Sequence, residues 1–274
     1  MTTTLRPSGP PQENGAGARS RPYEVRVNSR RVGSLLLAND TPFGPYVGEI
    51  RDLVIDERDR RRGRGTVAAL AAEEVLRSWD CRRVRIRVPA DAAAALRLAT
   101  ALGYVENSRN MVKELPAEPP ALPAGTQARP MTEAEYGTWL ERAIEGYAED
   151  WRSRGMPAEA ARAKSLADHA QSLPRGLHTP GADLLVLEAD GERVGNLWLA
   201  HKDGGAYVFD VEVAAPHRGR GHGRSLMLLA ERTALAAGSR NLGLQVFAGN
   251  TPARRLYDSL GYRSTFLNCA KDLL

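Results

Sequence analysis

A short strand, a glycine-rich turn and a helix follow one another directly around residue 220 of this 274-residue chain. Val211 and Val213 alternate with polar residues, as in a strand with one buried face, and 225–230 is an apolar run with helical spacing. The turn between them consists of Arg218, Gly219, Arg220, Gly221, His222, Gly223 and Arg224. Because a helix N-terminus presents unpaired N–H groups and a positive dipole end, the pattern predicts an anion site suited to a pyrophosphate.

Two common phosphate-binding motifs do not fit this turn. A dinucleotide fingerprint needs a third glycine, but Arg224 and Ser225 stand where it would fall. A P-loop needs a Gly-Lys-Ser/Thr sequence, which the chain does not contain. The spacing Arg218-x-x-Gly221-x-Gly223 instead resembles the acetyl-CoA signature of the GNAT acetyltransferase superfamily.

The sequence after the turn strengthens this resemblance. Residues 242–247 are predicted to form a strand, and Asn250 stands at the N-cap of a helix that has Pro252 in its first turn. That helix carries Tyr257 and ends at Gly261-Tyr262. GNAT proteins have an asparagine, followed by Ala-x-x-Leu-Tyr-x-x-x-Gly-Phe/Tyr, at this distance from the acyl-CoA turn. The second half of the chain therefore matches the family at both ends of the cofactor site.

The first half of the chain repeats the second at a constant offset of 158 residues (218 − 60). The same offset pairs Glu73 with Glu231 and Tyr104 with Tyr262. We therefore expect an internal duplication: an α/β protein with two tandem GNAT folds, each built on a mixed sheet, similar to the two-domain architecture of mycothiol synthase. The duplication implies a possible second CoA site, made of Leu53, Ile55, Arg60, Gly63 and Gly65.

The two repeats are unequal. Ala92 and Ala99 stand where the second repeat has Asn250 and Tyr257. The first repeat also lacks the helices predicted at 133–154 and 158–171, which in GNAT folds build much of the acceptor pocket. The predicted organisation is a disordered tail over 1–22, a truncated, non-catalytic GNAT-like domain over 23–115, a stiff proline-rich linker over 116–126 and a catalytic GNAT domain over 127–274.

The resemblance implies roles for residues of the second repeat. The pantetheine arm of acetyl-CoA would pair, strand-like, with Val211–Val213, whose backbone groups would also polarise the thioester carbonyl. The turn from Arg218 to Arg224 would bind the pyrophosphate, and the Asn250 amide would bind the arm. Tyr257 would be the general acid toward the leaving thiolate, with plain core packing as the alternative.

Asp210 and Glu212 are the candidates for the base. They alternate with valines, so both side chains lie on the opposite face of the strand. Carboxylates so close together can raise each other's pKa, which suits a base. In the resemblance, an acidic residue near Asp210 takes the proton of the amine. Direct binding of a cationic acceptor and a solvated strand edge are the alternatives.

Other aromatic and histidine side chains are weaker candidates. Trp139, Tyr147, Trp151 and Trp198 are expected in the core, although Tyr147 and Trp151, at helical i, i+4 spacing, could face an acceptor. His217 and His222 flank the turn and are interpreted as structural or as facing the phosphates.

Composition limits the remaining possibilities. The net charge of +5 belongs to residues 1–126, with 20 basic against 15 acidic residues, whereas 127–274 have 18 of each. This excess could attract nucleic acid or an acidic carrier, but a solvated surface plus a phosphate loop is favoured. The two cysteines belong to no metal-site motif, so no metal is expected. No apolar run approaches the roughly 20 residues of a membrane span, and cytoplasmic residence is expected.

Three functional hypotheses follow. The leading one is an acetyl-CoA-dependent N-acyltransferase that acetylates a primary amine, in particular a small cationic molecule, by direct attack in a ternary complex. The second is an acyltransferase whose donor, an aminoacyl-tRNA or a carrier protein, docks on the basic first half. The third is a non-enzymatic CoA-sensing or scaffold protein. The sequence determines neither the acceptor nor the oligomeric state.

Overall fold

The computed structural model describes residues 2–13, 18–39, 43–153, 156–202 and 204–273. The chain forms two compact units. The first unit comprises Met1–Met111, Val246–Thr251 and Ser264–Leu274. The second comprises Val112–Gln245 and Pro252–Arg263. Neither unit is therefore a single continuous stretch of chain.

The first unit contains a mixed sheet with two helices. Its sheet order is β1-β3-β4-β5-β6-β13-β7, with β2 on β3, and only β5 and β6 are parallel among its described pairings. The elements are β1 (Thr3–Pro7), β2 (Gln12–Glu13), β3 (Arg19–Val27), β4 (Arg30–Ala38), β5 (Val47–Ile55), α1 (Arg64–Arg77), β6 (Arg83–Pro89), α2 (Ala93–Ala101), β7 (Val105–Glu114) and, from the end of the chain, β13 (Arg263–Asp272).

The prediction of a disordered tail over 1–22 is wrong for the described part of that segment. Strand β1 pairs antiparallel with β3, with Thr3 opposite Val27 and Pro7 opposite Tyr23. Leu5 packs against the core of the first unit, and its burial stabilises the strand. The proline-rich composition of this segment did not indicate a strand. Residues 14–17 of the predicted tail lie outside the described residues.

The second unit contains the two long helices that the first repeat lacks. Its sheet order is β12-β11-β10-β9-β8, and β11 and β12 are its parallel pair among the described strands. The elements are β8 (Thr126–Pro130), α3 (Glu133–Arg152), α4 (Ala158–Ser172), β9 (Ala182–Ala189), β10 (Glu192–Lys202), β11 (Gly205–Val213), α5 (His222–Ala236), β12 (Asn241–Phe247) and α6 (Thr251–Ser259). The predicted helices at 133–154 and 158–171 correspond to α3 and α4; residue 154 lies outside the described residues.

Helices α3 and α4 pack against each other and, through α3, onto the sheet. The Ser165 hydroxyl on α4 donates a 2.8 Å hydrogen bond to the Ile144 carbonyl on α3. Trp139 of α3 is 1% exposed and joins Val186 and Trp198 in one core cluster. The two helices therefore cover the face of the sheet on which Trp198 lies. None of the helices formed by the described residues is long and apolar enough to cross a bilayer.

The boundaries of the units differ from the predicted domain boundaries at 115 and 127. Strand β13, the last strand of the second repeat, lies in the first unit, antiparallel to β6 with Phe266 opposite Pro89. The end of β7, the last strand of the first repeat, lies in the second unit, where the Leu115 N–H donates to the Arg240 carbonyl at 2.8 Å. The repeats thus exchange part of their last strands. Residues 116–125 form neither helix nor strand, as expected of the linker.

A capping box begins α3 and gives the first prediction. Thr132 accepts from the Glu135 N–H, and the Glu135 carboxylate accepts from the Thr132 N–H and from Arg129. The hydrogen bonds from Arg129, and then those from Thr132, lower the pKa of Glu135 from 4.5 to about 2. This stabilisation is present above the unfolded pKa and is lost as the pH falls toward 2.

We expect Glu135→Gln to lower the free energy of unfolding by about 1 kcal/mol at pH 7 and to have little effect near pH 2. Thermal unfolding at both pH values measures this difference. Glu133→Gln is the matched control, because the Glu133–His178 pair is exposed on both sides and exposed pairs contribute little. Equal destabilisation by Glu135→Gln at both pH values would contradict the assignment.

Candidate active site

Strand β11 separates from its parallel neighbour halfway along its length. The parallel pairing with β12 runs from Ala206 opposite Leu242 to Val208 opposite Leu244. On its other edge β11 remains paired with β10 as far as Val213, opposite Gly195. Among the described residues, the edge of β11 beyond Val208 has no ladder partner on the β12 side. This edge of β11 therefore has no neighbouring strand, although the Val213 carbonyl already accepts from Arg218 and the Val211 N–H already faces the Asp210 carboxylate.

A β-bulge lies where β11 separates. Trp198 of β10 pairs with Asp210, whereas Leu199 pairs with Val208, so Phe209 is the extra residue. Phe209 stacks on Trp198 with ring centroids 4.6 Å apart and is 40% exposed. A bulge redirects the side chains beside it, and here it brings an exposed aromatic ring close to a carboxylate.

Asp210 faces α3. The Trp139 indole Nε1–H donates a 2.9 Å hydrogen bond to Asp210 Oδ2. Burial of the carboxyl group raises the pKa of Asp210, and the Glu212 charge raises it further. The Trp139 hydrogen bond and the charge of His169 act in the opposite direction. The Glu212 charge thus contributes to the raised pKa of Asp210, but burial is the larger cause.

Glu212 lies one pleat further along β11 and also faces α3. Its Oε2 is 3.9 Å from Nη1 of Arg142, one helical turn beyond Trp139. The Glu212 side chain is 36% exposed, so it lies nearer to solvent than the buried Asp210 carboxyl group. The two carboxylates therefore share a face of the strand but differ in their access to water.

The turn after β11, here called the second loop (residues 215–224), has the geometry of an anion cradle. A 3₁₀ turn at Ala215–His217 precedes Gly219, which has φ +77°, and Gly221, the N-cap of α5, which has φ +88°. A Cβ added at either glycine would meet no atom within 4 Å, so space is open in front of both. Helix α5 begins at His222, about one turn earlier than the predicted apolar run at 225.

The charged side chains of the second loop have different environments. Arg220 is exposed, Arg218 Nε donates to the Val213 carbonyl at 3.1 Å, and Arg224 Nη2 donates to Ser259 Oγ at 2.6 Å. The His217 and His222 rings are 6.1 Å apart. Arg218 therefore fixes the end of β11 to the loop, while Arg220 remains exposed to solvent.

Tyr257 lies in the second unit on α6, and its side chain is buried, with 6% of the residue exposed. Burial raises the pKa of Tyr257 to about 12, and the charge of Asp210 contributes to the rise. The phenol and the carboxylate are thus close enough to interact electrically. Leu256, the preceding residue, packs where a Gly223 Cβ would lie, at 3.3 Å, so a larger residue at 223 would push α6 away from α5. Asn250 is exposed in the turn before α6.

An aromatic cluster surrounds Asp210, and one of its members was not identified from the sequence. His169 of α4 is 8% exposed, its ring centroid is 5.8 Å from that of Trp198, and its Nδ1 is 2.8 Å from the Ser165 carbonyl oxygen. Tyr147 packs edge-on against both Trp151 and His169. A histidine on the apolar face of the predicted helix 158–171 was the available signal. Trp139, Trp151 and Trp198 are buried, as expected of core residues, while Tyr147 is half-buried.

The corresponding turn of the first repeat, here called the first loop (residues 57–66), keeps the backbone geometry. Gly63 is the N-cap of α1 with φ +71°, and Arg60 Nε donates to the Ile55 carbonyl at 2.8 Å, as Arg218 does to Val213. Leu53 and Ile55 are half-buried on β5, whose parallel pairing with β6 ends at Ile50. Buried Asp59, paired with Arg30 and Arg64, takes the place of His217.

The first repeat differs at the positions of the predicted catalytic residues. Asp52, which corresponds to Asp210, is exposed, because the described part of this repeat has no helices equivalent to α3 and α4. Ala99 is buried where the second repeat has Tyr257. Among the described residues of the chain, no group of three or more His, Cys, Asp or Glu side chains is placed to hold a metal ion.

Comparisons with known proteins agree with this arrangement. The model of the acetyltransferase (GNAT) family matches residues 6–104 and 136–262. The uncharacterized N-acetyltransferase YycN of Bacillus subtilis is 32% identical over 151 residues, which are 53% of this chain and 96% of that protein. A mycothiol acetyltransferase of Clavibacter sepedonicus is 30% identical over 248 residues, 84% of this chain and 77% of its own length. The solved tandem GNAT protein from the clavulanic acid biosynthesis pathway has a TM-score of 0.52 at 20% identity, covering 94% of this chain and 84% of that one.

The two matches in series, one in each repeat, define a tandem N-acetyltransferase for which acetyl-CoA is the co-substrate. The chain belongs to the acetyltransferase (GNAT) family. The predictions of an acetyltransferase and of two tandem GNAT folds on a mixed sheet are thereby confirmed.

The left-handed glycine of the second loop gives the second prediction. Alanine at Gly221 is strained at φ +88°, so we expect Gly221→Ala to cost about 1–2 kcal/mol of stability and to weaken acetyl-CoA binding at least about 10-fold, because the strained cap moves the N–H groups of the cradle. Isothermal titration of the full chain measures the affinity and the number of sites, which we expect to be one.

Gly238→Ala is the matched control. Gly238 has φ +81° at the opposite end of α5, and an added Cβ would also meet no atom within 4 Å. It should cost the same stability and leave the affinity unchanged. If Gly221→Ala bound acetyl-CoA like the control, the second loop would not be the pyrophosphate site.

Proposed function

We propose that the second unit transfers the acetyl group of acetyl-CoA to the primary amine of a small cationic molecule, by direct attack in a ternary complex. The observation that carries this proposal is the buried Asp210 carboxylate, hydrogen-bonded to Trp139 on the strand whose edge is open beyond Val208. Its charge adds to burial in raising the pKa of the buried Tyr257 phenol. Acyl transfer to an ammonium requires both a proton acceptor and a proton donor, and these two groups supply them.

The donor substrate would lie along β11 and end on the second loop. The N–H groups of Gly219–Gly223, at the start of α5, and the charge of Arg220 would bind the pyrophosphate. The unpaired edge of Val211–Val213 would hydrogen-bond the pantetheine arm and polarise the thioester carbonyl.

Asp210 would accept the proton of the acceptor's ammonium group. A carboxylate with an ordinary pKa is too weak a base for this step, and burial moves the pKa of Asp210 in the favourable direction. Glu212, which is partly exposed to solvent, would attract the cation. The exposed Phe209 ring, stacked on Trp198, offers a face that binds ammonium groups. These features support a cationic acceptor.

Tyr257 would stabilise the leaving thiolate. With a pKa of about 12 the phenol remains protonated, but it is a weaker acid than a thiol of pKa about 8.5, so complete transfer to the thiolate is unfavourable at first. Protonation of Asp210 reduces this mismatch. Once Asp210 has taken a proton, its charge no longer adds to the effect of burial on the pKa of Tyr257, and the phenol donates more readily.

The reaction is balanced without another reactant. The neutral amine nitrogen attacks the thioester carbon, a C–N bond forms, and the C–S bond breaks with its electron pair moving to sulfur. Two protons leave the nitrogen in all: the ammonium first gives one to Asp210, which releases it to solvent, and after the attack the nitrogen gives the second to Asp210, directly or through a water molecule. The thiolate receives one proton from Tyr257. Exchange with solvent then restores both groups.

Tyr257→Phe gives the third prediction. Removing the phenol proton should lower kcat about 100-fold, with the Kd for acetyl-CoA changed less than about 2-fold, because the hydroxyl acts only as the thiolate forms. Steady-state kinetics and titration measure the two quantities. Tyr23→Phe, a buried tyrosine of the first unit, is the control and should retain full activity. Wild-type kcat in Tyr257→Phe would remove Tyr257 from the mechanism.

The two carboxylates give the fourth prediction, because their different burial assigns them different roles. Asp210→Asn keeps an oxygen for the Trp139 hydrogen bond but cannot accept a proton, and it should lower kcat at least about 100-fold. Glu212→Gln should mainly raise the KM of a cationic acceptor, about 3- to 10-fold, and this effect should weaken with added salt. In the wild type, kcat/KM should rise with pH through the raised pKa of Asp210, and this limb should vanish in Asp210→Asn. The opposite division of kcat and KM effects would make Glu212 the base.

A second candidate acceptor comes from the relatives. Mycothiol acetyltransferase of Clavibacter sepedonicus aligns across both repeats, and the same tandem order supports the acceptor of that enzyme as an alternative. Parallel assays with that acceptor and with simple di- and polyamines would separate the two. A kcat/KM at least about 100-fold higher for one class would decide between them.

A further inference from the structure

We propose that Lys113 is a positioning residue for Tyr257, supplied to the catalytic unit by the last strand of the first repeat. This inference rests on the proposed function, because it concerns how Tyr257 is held for the thiolate. It also gives the truncated repeat a task in catalysis that does not depend on its own loop binding CoA.

Lys113 neutralises a buried carboxylate of the second unit. Its Nζ donates to both oxygens of Glu231, at 2.7 and 2.8 Å, and Glu231 is 1% exposed. A carboxylate buried this completely needs a cation beside it, since loss of one partner of a buried pair leaves an uncompensated charge. Glu231 lies on α5, the helix whose N-terminus forms the second loop. Lys113 therefore holds the helix of the anion cradle in place.

The same pair supports the segment that carries Tyr257. Lys113 Nζ is 5.7 Å from the centroid of the Tyr262 ring, and the Glu231 charge adds to the effect of burial in raising the pKa of Tyr262. The buried Tyr262 hydroxyl makes no hydrogen bond within the described residues. The Tyr262 N–H donates to the Tyr257 carbonyl at 3.0 Å, and the two rings have centroids 5.9 Å apart. Lys113, Glu231 and Tyr262 thus fix the end of α6 next to Tyr257.

The first unit contains a corresponding lysine–glutamate pair with the repeats reversed, and there the tyrosine hydroxyl is also hydrogen-bonded to the glutamate. Lys271, which corresponds to Lys113 at the 158-residue offset, donates to Glu73 at 2.8 Å, and the Tyr104 hydroxyl donates to Glu73 at 3.0 Å. Each repeat therefore supplies the lysine of the other repeat's glutamate. In the first unit the residue in the place of Tyr257 is Ala99. Lys271 thus neutralises a buried glutamate that has no proposed catalytic phenol beside it. It therefore serves as a control within the same chain.

The experiment compares Lys113→Met with Lys271→Met in the full chain. Both should lower the melting temperature by a similar amount, because both leave a buried glutamate without its cation. Only Lys113→Met should lower kcat, about 10-fold, with the KM for acetyl-CoA changed less than about 3-fold, and Lys113→Arg should restore most of the loss. If Lys113→Met does not fold, Glu231→Gln and Glu73→Gln make the same comparison with neutral amides of equal size.

A double-mutant cycle identifies the route of the effect. If Lys113 acts through Tyr257, Lys113→Met should reduce kcat no further in a Tyr257→Phe background. Equal loss of kcat in the Lys113 and Lys271 variants, or an undiminished effect in that background, would overturn the inference and leave the proposed function standing. Full activity of Tyr257→Phe alone would instead overturn the proposed role of the phenol.

Discussion

The loss of pairing between β11 and β12 after Val208 is the constraint from which the chemistry of the second unit follows. Up to that residue β11 is held on both edges, and beyond it only β10 holds the strand, as far as Val213. Backbone N–H and C=O groups that have no partner need one from water or from a ligand. A strand that is rigid on one edge and open on the other is therefore a receptor for an extended chain, and the second loop stands at its end.

Burial and neighbouring charges shift the pKa values of the polar groups beside that edge. Asp210 lies among Trp139, Trp198 and Phe209, and this environment raises its pKa as a base requires. Its remaining negative charge in turn raises the pKa of Tyr257. In the proposed mechanism, a proton on Asp210 would remove the charge that adds to burial in raising the pKa of Tyr257, and this would favour proton donation by the phenol. The first repeat keeps the loop but leaves Asp52 in solvent, so burial distinguishes the repeats as much as residue identity does.

Local patterns predicted the elements and the family, but not how distant segments combine. The strand, turn and helix around residue 220 and the helix that carries Tyr257 depend on residues within a few positions of one another, and these predicted elements agree with the structure. The bulge at Phe209 depends on register with β10, which alternation along one strand cannot show. Strand β1 depends on pairing with β3, which its proline-rich composition hid. The last strand of each repeat has a similar sequence pattern, so the pattern cannot show which unit the strand joins. The exchanged strand ends, and the proposed role of Lys113 that depends on them, were therefore not predictable.

A crystal structure of the full chain with acetyl-CoA tests the central claim most directly, because it shows which copy of the module holds the thioester. The account predicts one molecule per chain, with its pyrophosphate on Gly219–Gly223, its arm along Val211–Val213 and its sulfur facing the Tyr257 hydroxyl. Acetyl-CoA bound only against the first loop, or a Tyr257 phenol directed away from the sulfur, would contradict it.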